Sequence, residues 1–216
     1  FLGRGGTRPV PIGILDATAF TSSQNTALIL NTPFTFLKTI SVQGIEQKNY
    51  FSIEEEIRYF NPIHTTEPAN ILPDSTNVVI LVLESFGKEF VGILSGEESY
   101  TPYLDSLMGQ SMYFEYAFAN GKKSNESIPA ILASIPSLSA TPYSSSQYGD
   151  NDIYALPSIL KENGYSTAFY HGASNGSMLF DSFSKRAGME FYFGRNEYGN
   201  DDHFDGHWAI SDGYFN

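Results

Sequence analysis

The chain has 216 residues, of which 41% are hydrophobic and 15% aromatic, so it can bury a globular core. Its formal net charge of -12 argues against a protein that wraps nucleic acid through the phosphates, and we expect no nucleic-acid partner. The absence of cysteine excludes disulfides and cysteine-ligated zinc. No apolar run approaches the ~18 residues that a membrane span needs.

Residues 1–74 are predicted to form an irregular and helical lead-in that ends in a linker rich in Pro, Thr and Asn. The elements predicted there are one short strand and three helices, at residues 11–15, 21–30, 34–40 and 52–60. The last helix has the clearest start, because Ser52 and Glu55 have the spacing of a capping box.

Residues 75–216 alternate predicted strands and helices. The first strand, 77–83, is an apolar run that is typical of a strand buried on both faces of a parallel sheet. The further predicted strands are 112–118 and 165–170, and the predicted helices are 88–94, 102–108, 124–135 and 154–162. Such alternation predicts an α/β fold, with a mixed or mostly parallel sheet and helices on both faces.

Three side chains that could carry chemistry follow predicted strands or begin a predicted helix: Glu84, Ser124 and His171. Ligand sites of open α/β sheets lie beyond the carboxyl ends of the strands, where these residues would converge. Glu84 fits a metal ligand or a residue that caps the next turn. Ser124, which follows Lys122 and Lys123, fits a nucleophile or a helix N-cap.

One segment near the end of the chain is rich in metal-ligand types. Asp201, Asp202, His203, Asp205 and His207 lie within seven residues, but their spacing matches no closed metal motif. Loop composition favours a polar surface loop for this segment.

Several sequence blocks, in order and spacing, resemble the lipoteichoic acid synthase and phosphoethanolamine transferase branch of the alkaline phosphatase and sulfatase superfamily. The blocks are residues 77–85, 101–107, 119–138, 156–165 and 171–172. The resemblance implies an alkaline phosphatase-like α/β sheet and makes residues 75–216 the N-terminal part of an extracytoplasmic catalytic domain.

The resemblance also assigns roles to individual residues. Glu84 matches the family's first metal ligand, and Ser124 matches its nucleophile, usually a threonine, which also contacts the metal. Lys123, His171 and Asn175 are the expected substrate contacts, and zinc or manganese is the expected metal. The family's remaining ligands would follow the end of this chain, so we expect the piece alone to be inactive. A transmembrane anchor is expected before it.

The implied function is transfer of a phosphoglycerol or phosphoethanolamine head group from a phospholipid to an envelope glycan or lipid, through a covalent phospho-enzyme. One alternative is a non-catalytic relative that binds a lipid or a protein partner. Another is a phosphodiesterase or sulfatase-type hydrolase with water as the acceptor. An arylsulfatase is disfavoured, because Ile131 occupies the Arg position of the motif that generates formylglycine.

Overall fold

The computed structural model describes residues 26–40, 44–61, 63, 65, 73, 76–149 and 151–215. They form two compact units, one over Ile45–Ala117 and one from the residues on either side of that range. The strand predicted at 11–15, the start of the helix predicted at 21–30 and most of the predicted linker lie outside the described residues.

The first helix of the unit Ile45–Ala117 is α3 at Ile53–Tyr59, the third helix of the described chain. Its start is fixed by its own sequence. The Ser52 hydroxyl accepts the Glu55 N–H at 3.3 Å, and the Glu55 carboxylate accepts the Ser52 N–H at 2.9 Å. Both donors would otherwise lack partners at a helix end, so the predicted capping box is confirmed.

The same unit continues with a 3₁₀ turn at Lys88–Phe90, helix α4 at Gly92–Ser95 and helix α5 at Pro102–Met108. Asp105 of α5 ties these elements together, because its carboxylate accepts the Ile93 N–H at 3.1 Å. Helix α5 begins with proline at its first position, as the sequence predicts.

Two predicted strands of this region are wrong. Residues 77–83 and 112–118 are not in strands, and the side chains from Val78 to Leu83 are 48–80% exposed. A strand needs the N–H and C=O groups of a neighbouring segment, and no described segment pairs with either run. An apolar run therefore favours a strand without supplying the partner that a strand needs.

The other unit opens, in its described part, with helix α1 at Thr26–Ile29 and helix α2 at Thr32–Thr39. Asn31 caps α2, since its side-chain oxygen accepts the Phe34 N–H at 2.8 Å. The predicted helix begins at Phe34, two residues after the observed start at Thr32. Proline fits the first turn of a helix, where its missing N–H needs no partner.

The rest of this unit is an α/β arrangement. Its elements, in chain order, are helix α6 at Ser124–Ala133, a 3₁₀ turn at Tyr143–Ser145, helix α7 at Leu156–Glu162, strand β1 at Ala168–Tyr170, a 3₁₀ turn at Ser177–Leu179, helix α8 at Phe180–Arg186 and strand β2 at Phe191–Phe193. The strands are parallel, with Phe169 opposite Tyr192. The predictions of α6, α7, β1 and the α/β class are confirmed, whereas α8 and β2 were missed.

The core of this unit lies between the sheet and helices α6 and α8. Its buried side chains are Ile128, Leu132, Ala155, Phe180, Phe183 and Ala187. Phe169 stacks on Tyr192 with the ring centroids 5.8 Å apart, and both rings face this core. Tyr170, on the opposite face of β1, is 63% exposed, as the two-residue period of a strand requires.

After β2 the described chain forms short elements only: helix α9 at Arg195–Tyr198, a 3₁₀ turn at Asp201–His203 and helix α10 at Asp212–Phe215. An antiparallel bridge between Ala173 and Ala209 joins this segment to the loop after β1. None of the helices in the described ranges combines the length and the apolar character that crossing a bilayer requires.

Phe183 is 2% exposed at the centre of the core, so we expect Phe183→Ala to lower the free energy of unfolding by about 3–5 kcal/mol. Phe36 on α2 is 59% exposed, and Phe36→Ala is the matched control, with a change of about 0.5 kcal/mol or less. Urea denaturation followed by circular dichroism measures both. A loss below about 1 kcal/mol in Phe183→Ala would contradict this core assignment.

Candidate functional site

Ser124 is the first residue of helix α6 and is half-buried. The residue at the N-cap is Lys123, in extended backbone, so the alternative of Ser124 as an N-cap is wrong. The first N–H groups of a helix lack intrahelical partners and carry partial positive charge. The exposed Lys122 and Lys123 precede this helix start, and the Glu126 carboxylate lies beside it. A helix N-terminus can accommodate an anion.

The backbone before Ser124 is tied down at two points. The carbonyl of Lys123 accepts the N–H groups of Glu126 at 3.0 Å and Ser127 at 3.1 Å, and the Ser127 hydroxyl at 3.2 Å. The Glu126 carboxylate accepts the Lys122 N–H at 2.7 Å. The chain therefore enters the helix along one fixed path.

His171 follows β1 directly, and its N–H donates to the Phe193 carbonyl of β2 at 2.9 Å. Its ring packs against Phe180 at 4.9 Å between centroids, and its Nδ1 lies 3.4 Å from the Tyr192 hydroxyl. Burial lowers the pKa of His171, and the charge of Asp181 offsets part of that shift. Folding thus favours the neutral ring, and where Nδ1 accepts the Tyr192 O–H, the ring proton lies on Nε2.

Tyr192 was missed by sequence reasoning, because aromatic residues in strands are common and carry no motif. Burial raises the pKa of its hydroxyl, and the charges of Asp181 and Glu197 raise it further. The hydroxyl therefore stays protonated, and it lies within hydrogen-bond distance of His171 Nδ1.

Asn175, an expected substrate contact, forms a hydrogen-bonded clamp between the loop that follows β1 and helix α9, which follows β2. Its amide nitrogen donates to the two Glu197 oxygens at 3.1 and 2.9 Å, and its oxygen accepts the Asn196 N–H at 3.2 Å. The Gly194 N–H donates to the same Glu197 carboxylate at 2.8 Å. A Cβ on Gly194 would overlap the Asn175 oxygen, so glycine permits this approach.

Glu197 was also missed, although its place three residues after Gly194 is the spacing by which a helix N3 glutamate reaches back to the N-cap. Burial alone would raise the pKa of Glu197. The hydrogen bonds from Asn175 and Gly194 outweigh burial, and its pKa lies below the usual value.

Side chains of the segment 201–207, which is rich in Asp and His, contact residues of the same region of the chain. Arg195 pairs with Asp201 at 2.8 Å and lies over the Phe204 ring at 3.6 Å from its centroid. Tyr198 bonds His203 Nδ1, whose ring stacks on Tyr214 at 4.0 Å.

Asp205 of the same segment accepts three backbone N–H groups, from His207, Trp208 and Ala209. These hydrogen bonds, the one from Trp208 foremost, lower the pKa of Asp205. The segment is a structured surface loop, as its composition favours.

Glu84 lies in an exposed turn of the unit Ile45–Ala117, whereas Ser124, His171 and Asn175 belong to the other unit. Ser85, the next residue, has a φ of 58°, in the left-handed region. Within the described ranges, no three His, Asp or Glu side chains lie close enough together to hold a metal ion. The described residues by themselves therefore do not fit a complete metal centre.

In the unit that contains Ser124 and His171, one buried core determines the positions of both residues. Ile128 of α6 and Phe180 of α8 belong to the same buried cluster, and the His171 ring packs on Phe180. The orientation of Ser124 at the start of α6 and that of His171 after β1 thus depend on the same packing. The parallel pairing of β1 and β2 brings His171, Tyr192 and the Asn175 clamp to one sheet edge.

A parallel sheet packed against helices defines an α/β protein, a class in which ligand sites lie beyond the carboxyl ends of the strands. The family model described as Sulfatase matches residues 76–213. The chain belongs to the sulfatase family, and the family resemblance of the sequence blocks is confirmed. Members of this superfamily are enzymes that generally use divalent metals.

A solved structure that is similar to this chain is the crystal structure of the lipoteichoic acid synthase LtaP from Listeria monocytogenes. The two share 27% sequence identity with a TM-score of 0.49. The match covers 54% of this chain and 28% of that chain, so the present chain spans well under half the length of that protein.

The pKa of His171 is lowered by burial, so its folded-state value lies below the unfolded value of about 6.5. Folding then favours the neutral ring. Stability from this residue is full above about pH 6.5 and is lost as the pH falls through the folded pKa. We expect the free energy of unfolding to fall over this range.

Urea titrations at a series of pH values, with an NMR titration of the His171 ring, measure both quantities. His171→Gln should flatten this part of the pH profile, because glutamine does not titrate. A ring pKa above about 6.5, or an unchanged profile in His171→Gln, would contradict the prediction.

Proposed function

We propose that this chain is part of a transferase that moves a phospho-head group from a phospholipid to an envelope glycan or lipid, with Ser124 as the nucleophile. The observation that carries the proposal is the hydroxyl at the first position of α6 beside Lys122 and Lys123. A covalent step through a serine hydroxyl needs stabilisation of the anion at phosphorus, which a helix N-terminus and two ammonium groups supply.

In the first step, Ser124 Oγ attacks the phosphorus of the lipid head group. The Oγ–P bond forms, the bond from phosphorus to the diacylglycerol oxygen breaks, and the serine proton ends on that leaving oxygen. In the second step, a hydroxyl of the acceptor attacks phosphorus, and its proton returns to Ser124. Each step exchanges one P–O bond for another, so no oxidant or reductant is needed.

Lys123 and His171 are proposed to bind the phosphoryl oxygens. Lys123 is exposed at the N-cap, next to the nucleophile. His171 offers a proton at Nε2, because Nδ1 faces the Tyr192 hydroxyl. Asn175 was predicted as a third contact. Its hydrogen bonds with Glu197 and Asn196 favour a role in holding the loop beside His171.

A divalent metal, zinc or manganese, would lower the pKa of the attacking hydroxyl and polarise the phosphoryl group when bound. Glu84 is proposed as one of its ligands and Ser124 as another. The described residues do not form a complete set of metal ligands. The residues of this chain therefore supply only the nucleophile and the anion-binding groups in the two proposed steps.

A phospholipid donor requires the site to work at a membrane surface. We therefore propose that the protein acts on the extracytoplasmic side of the cell membrane, held there by a transmembrane anchor outside this chain. The acceptor would then be a hydroxyl of an envelope glycan or lipid.

A hydrolase with the same nucleophile differs only in the acceptor, which would be water. Family membership is consistent with both reactions. Ile131 stands where formylglycine-forming sulfatases carry arginine, which favours an unmodified serine hydroxyl and phosphoryl transfer.

Ser124→Ala should lower head-group release from vesicles of phosphatidylglycerol or phosphatidylethanolamine by at least about 10³-fold, because the variant has no nucleophile. The intact protein is incubated with vesicles, quenched in acid and digested, and mass spectrometry detects the phospho-adduct on the peptide that contains residue 124. Ser106→Ala, at an exposed residue of α5, is the matched control and should form the adduct. Equal release by Ser124→Ala and the wild type would sink the proposal.

Glu84→Gln should weaken zinc or manganese binding to the intact protein by at least about tenfold, because an amide is a poorer ligand than a carboxylate. Metal analysis after gel filtration and titration calorimetry measure the binding. Glu89→Gln, at an exposed carboxylate five residues further on, is the control and should bind as the wild type does. Unchanged metal affinity in Glu84→Gln would rule out this ligand assignment.

A further inference from the structure

We propose that Glu126 is a positioning residue for the transfer reaction, which fixes the backbone before Ser124 and thereby the direction of the Ser124 hydroxyl. The inference rests on the proposed role of Ser124 as the nucleophile. It assigns to Glu126 no contact with the substrate and no exchange of protons.

The start of α6 lacks a conventional cap. The N-cap residue is Lys123, whose side chain has no acceptor and makes no capping hydrogen bond. Asn31 and Ser52, which cap α2 and α3, do so through side-chain oxygens. Without a substitute, the segment before Ser124 would have little to hold its extended conformation.

Glu126 supplies that substitute from the third helical position. Its carboxylate accepts the N–H of Lys122, one residue before the N-cap, at 2.7 Å. A charged acceptor makes this hydrogen bond stronger than one between neutral groups. The bond closes a ring around Lys123 and Ser124, so rotation of the Ser124 backbone would break it.

Gly121 shows how closely the carboxylate side chain packs on this segment. A Cβ at Gly121 would lie 2.5 Å from Glu126 Cβ and 3.0 Å from its Oε2. Any side chain at this position would push Glu126 away from the Lys122 N–H. The glycine thus serves the same geometry as the glutamate.

The far end of the segment is held by a second bond. The Asn120 side-chain oxygen accepts the N–H of Ser137, which lies beyond the end of α6, at 2.7 Å. The segment 120–123 is therefore anchored to both ends of the helix. These two hydrogen bonds restrict movement of the segment, and the one to Glu126 restricts backbone rotation at Ser124.

The expected consequence is kinetic. Loss of the Glu126 carboxylate should lower the rate at which Ser124 is modified, by about 10- to 100-fold, because small displacements of a nucleophile cost rates of this order. The KM for the lipid should stay within about twofold, since Glu126 is not assigned to substrate binding.

The experiment uses the intact protein with phosphatidylglycerol vesicles and four variants. Glu126→Ala removes the acceptor, whereas Glu126→Gln keeps an oxygen that can accept the same N–H. Gly121→Ala displaces Glu126 without changing it. Glu55→Ala is the matched control, because it removes a carboxylate that caps α3 in the same way.

Two readouts are taken. Hydrogen exchange at the Lys122 amide should accelerate by about tenfold or more in Glu126→Ala and Gly121→Ala, and little in Glu126→Gln and Glu55→Ala. The single-turnover rate of Ser124 modification should follow the same order, with Glu126→Gln within about threefold of the wild type.

Equal exchange at Lys122 in Glu126→Ala and the wild type would overturn the inference, as would an Ala variant that modifies Ser124 at the wild-type rate. Equal losses in Glu126→Gln and Glu126→Ala would also overturn it, because charge rather than the hydrogen bond would then matter. If Ser124 of the wild-type protein is never modified, the proposed function itself is wrong. The hydrogen-exchange measurements distinguish that result from a failure of the Glu126 proposal alone.

Discussion

The packing of two phenylalanines of α8 between the sheet and α6 is the constraint on which the described site depends. Phe180 and Phe183 fill the space between the inner face of the sheet and Ile128 of α6. Because interiors are packed as densely as organic crystals, these side chains allow one arrangement of the three elements. That arrangement orients the start of α6 and the edge of the sheet at which His171 lies.

Hydrogen bonds between loops then turn the packed core into a defined surface. The loop after β1 and the loop after β2 are joined through Asn175 and Glu197, and the segment before Ser124 is joined to its own helix through Glu126. In both places a carboxylate accepts a backbone N–H that would otherwise lack a partner. Several acidic residues of this chain therefore maintain local structure, which accounts for part of its acidic composition without invoking metal binding.

Membership in the sulfatase family and the hydroxyl of Ser124 at the first position of α6 are the two observations behind the proposed transfer reaction. Lys122 and Lys123, which precede the helix, are two of the 12 basic residues in a chain with a formal net charge of -12. Their location at the helix N-terminus matches the charge of a phosphoryl group.

The sequence alone determined the elements whose signals are local: the capping box of α3, the proline at the start of α5, and helices α6 and α7. It also identified the family, because ordered motif blocks carry that information without a structure. The strand predicted at 77–83 was wrong, since pairing depends on a partner that an apolar run does not encode. Tertiary structure alone decided the parallel pairing of β1 with β2, the contact of Tyr192 with His171 and the engagement of Asn175 with Glu197. These contacts join residues about 20 positions apart, and only the folded core brings them within hydrogen-bond distance.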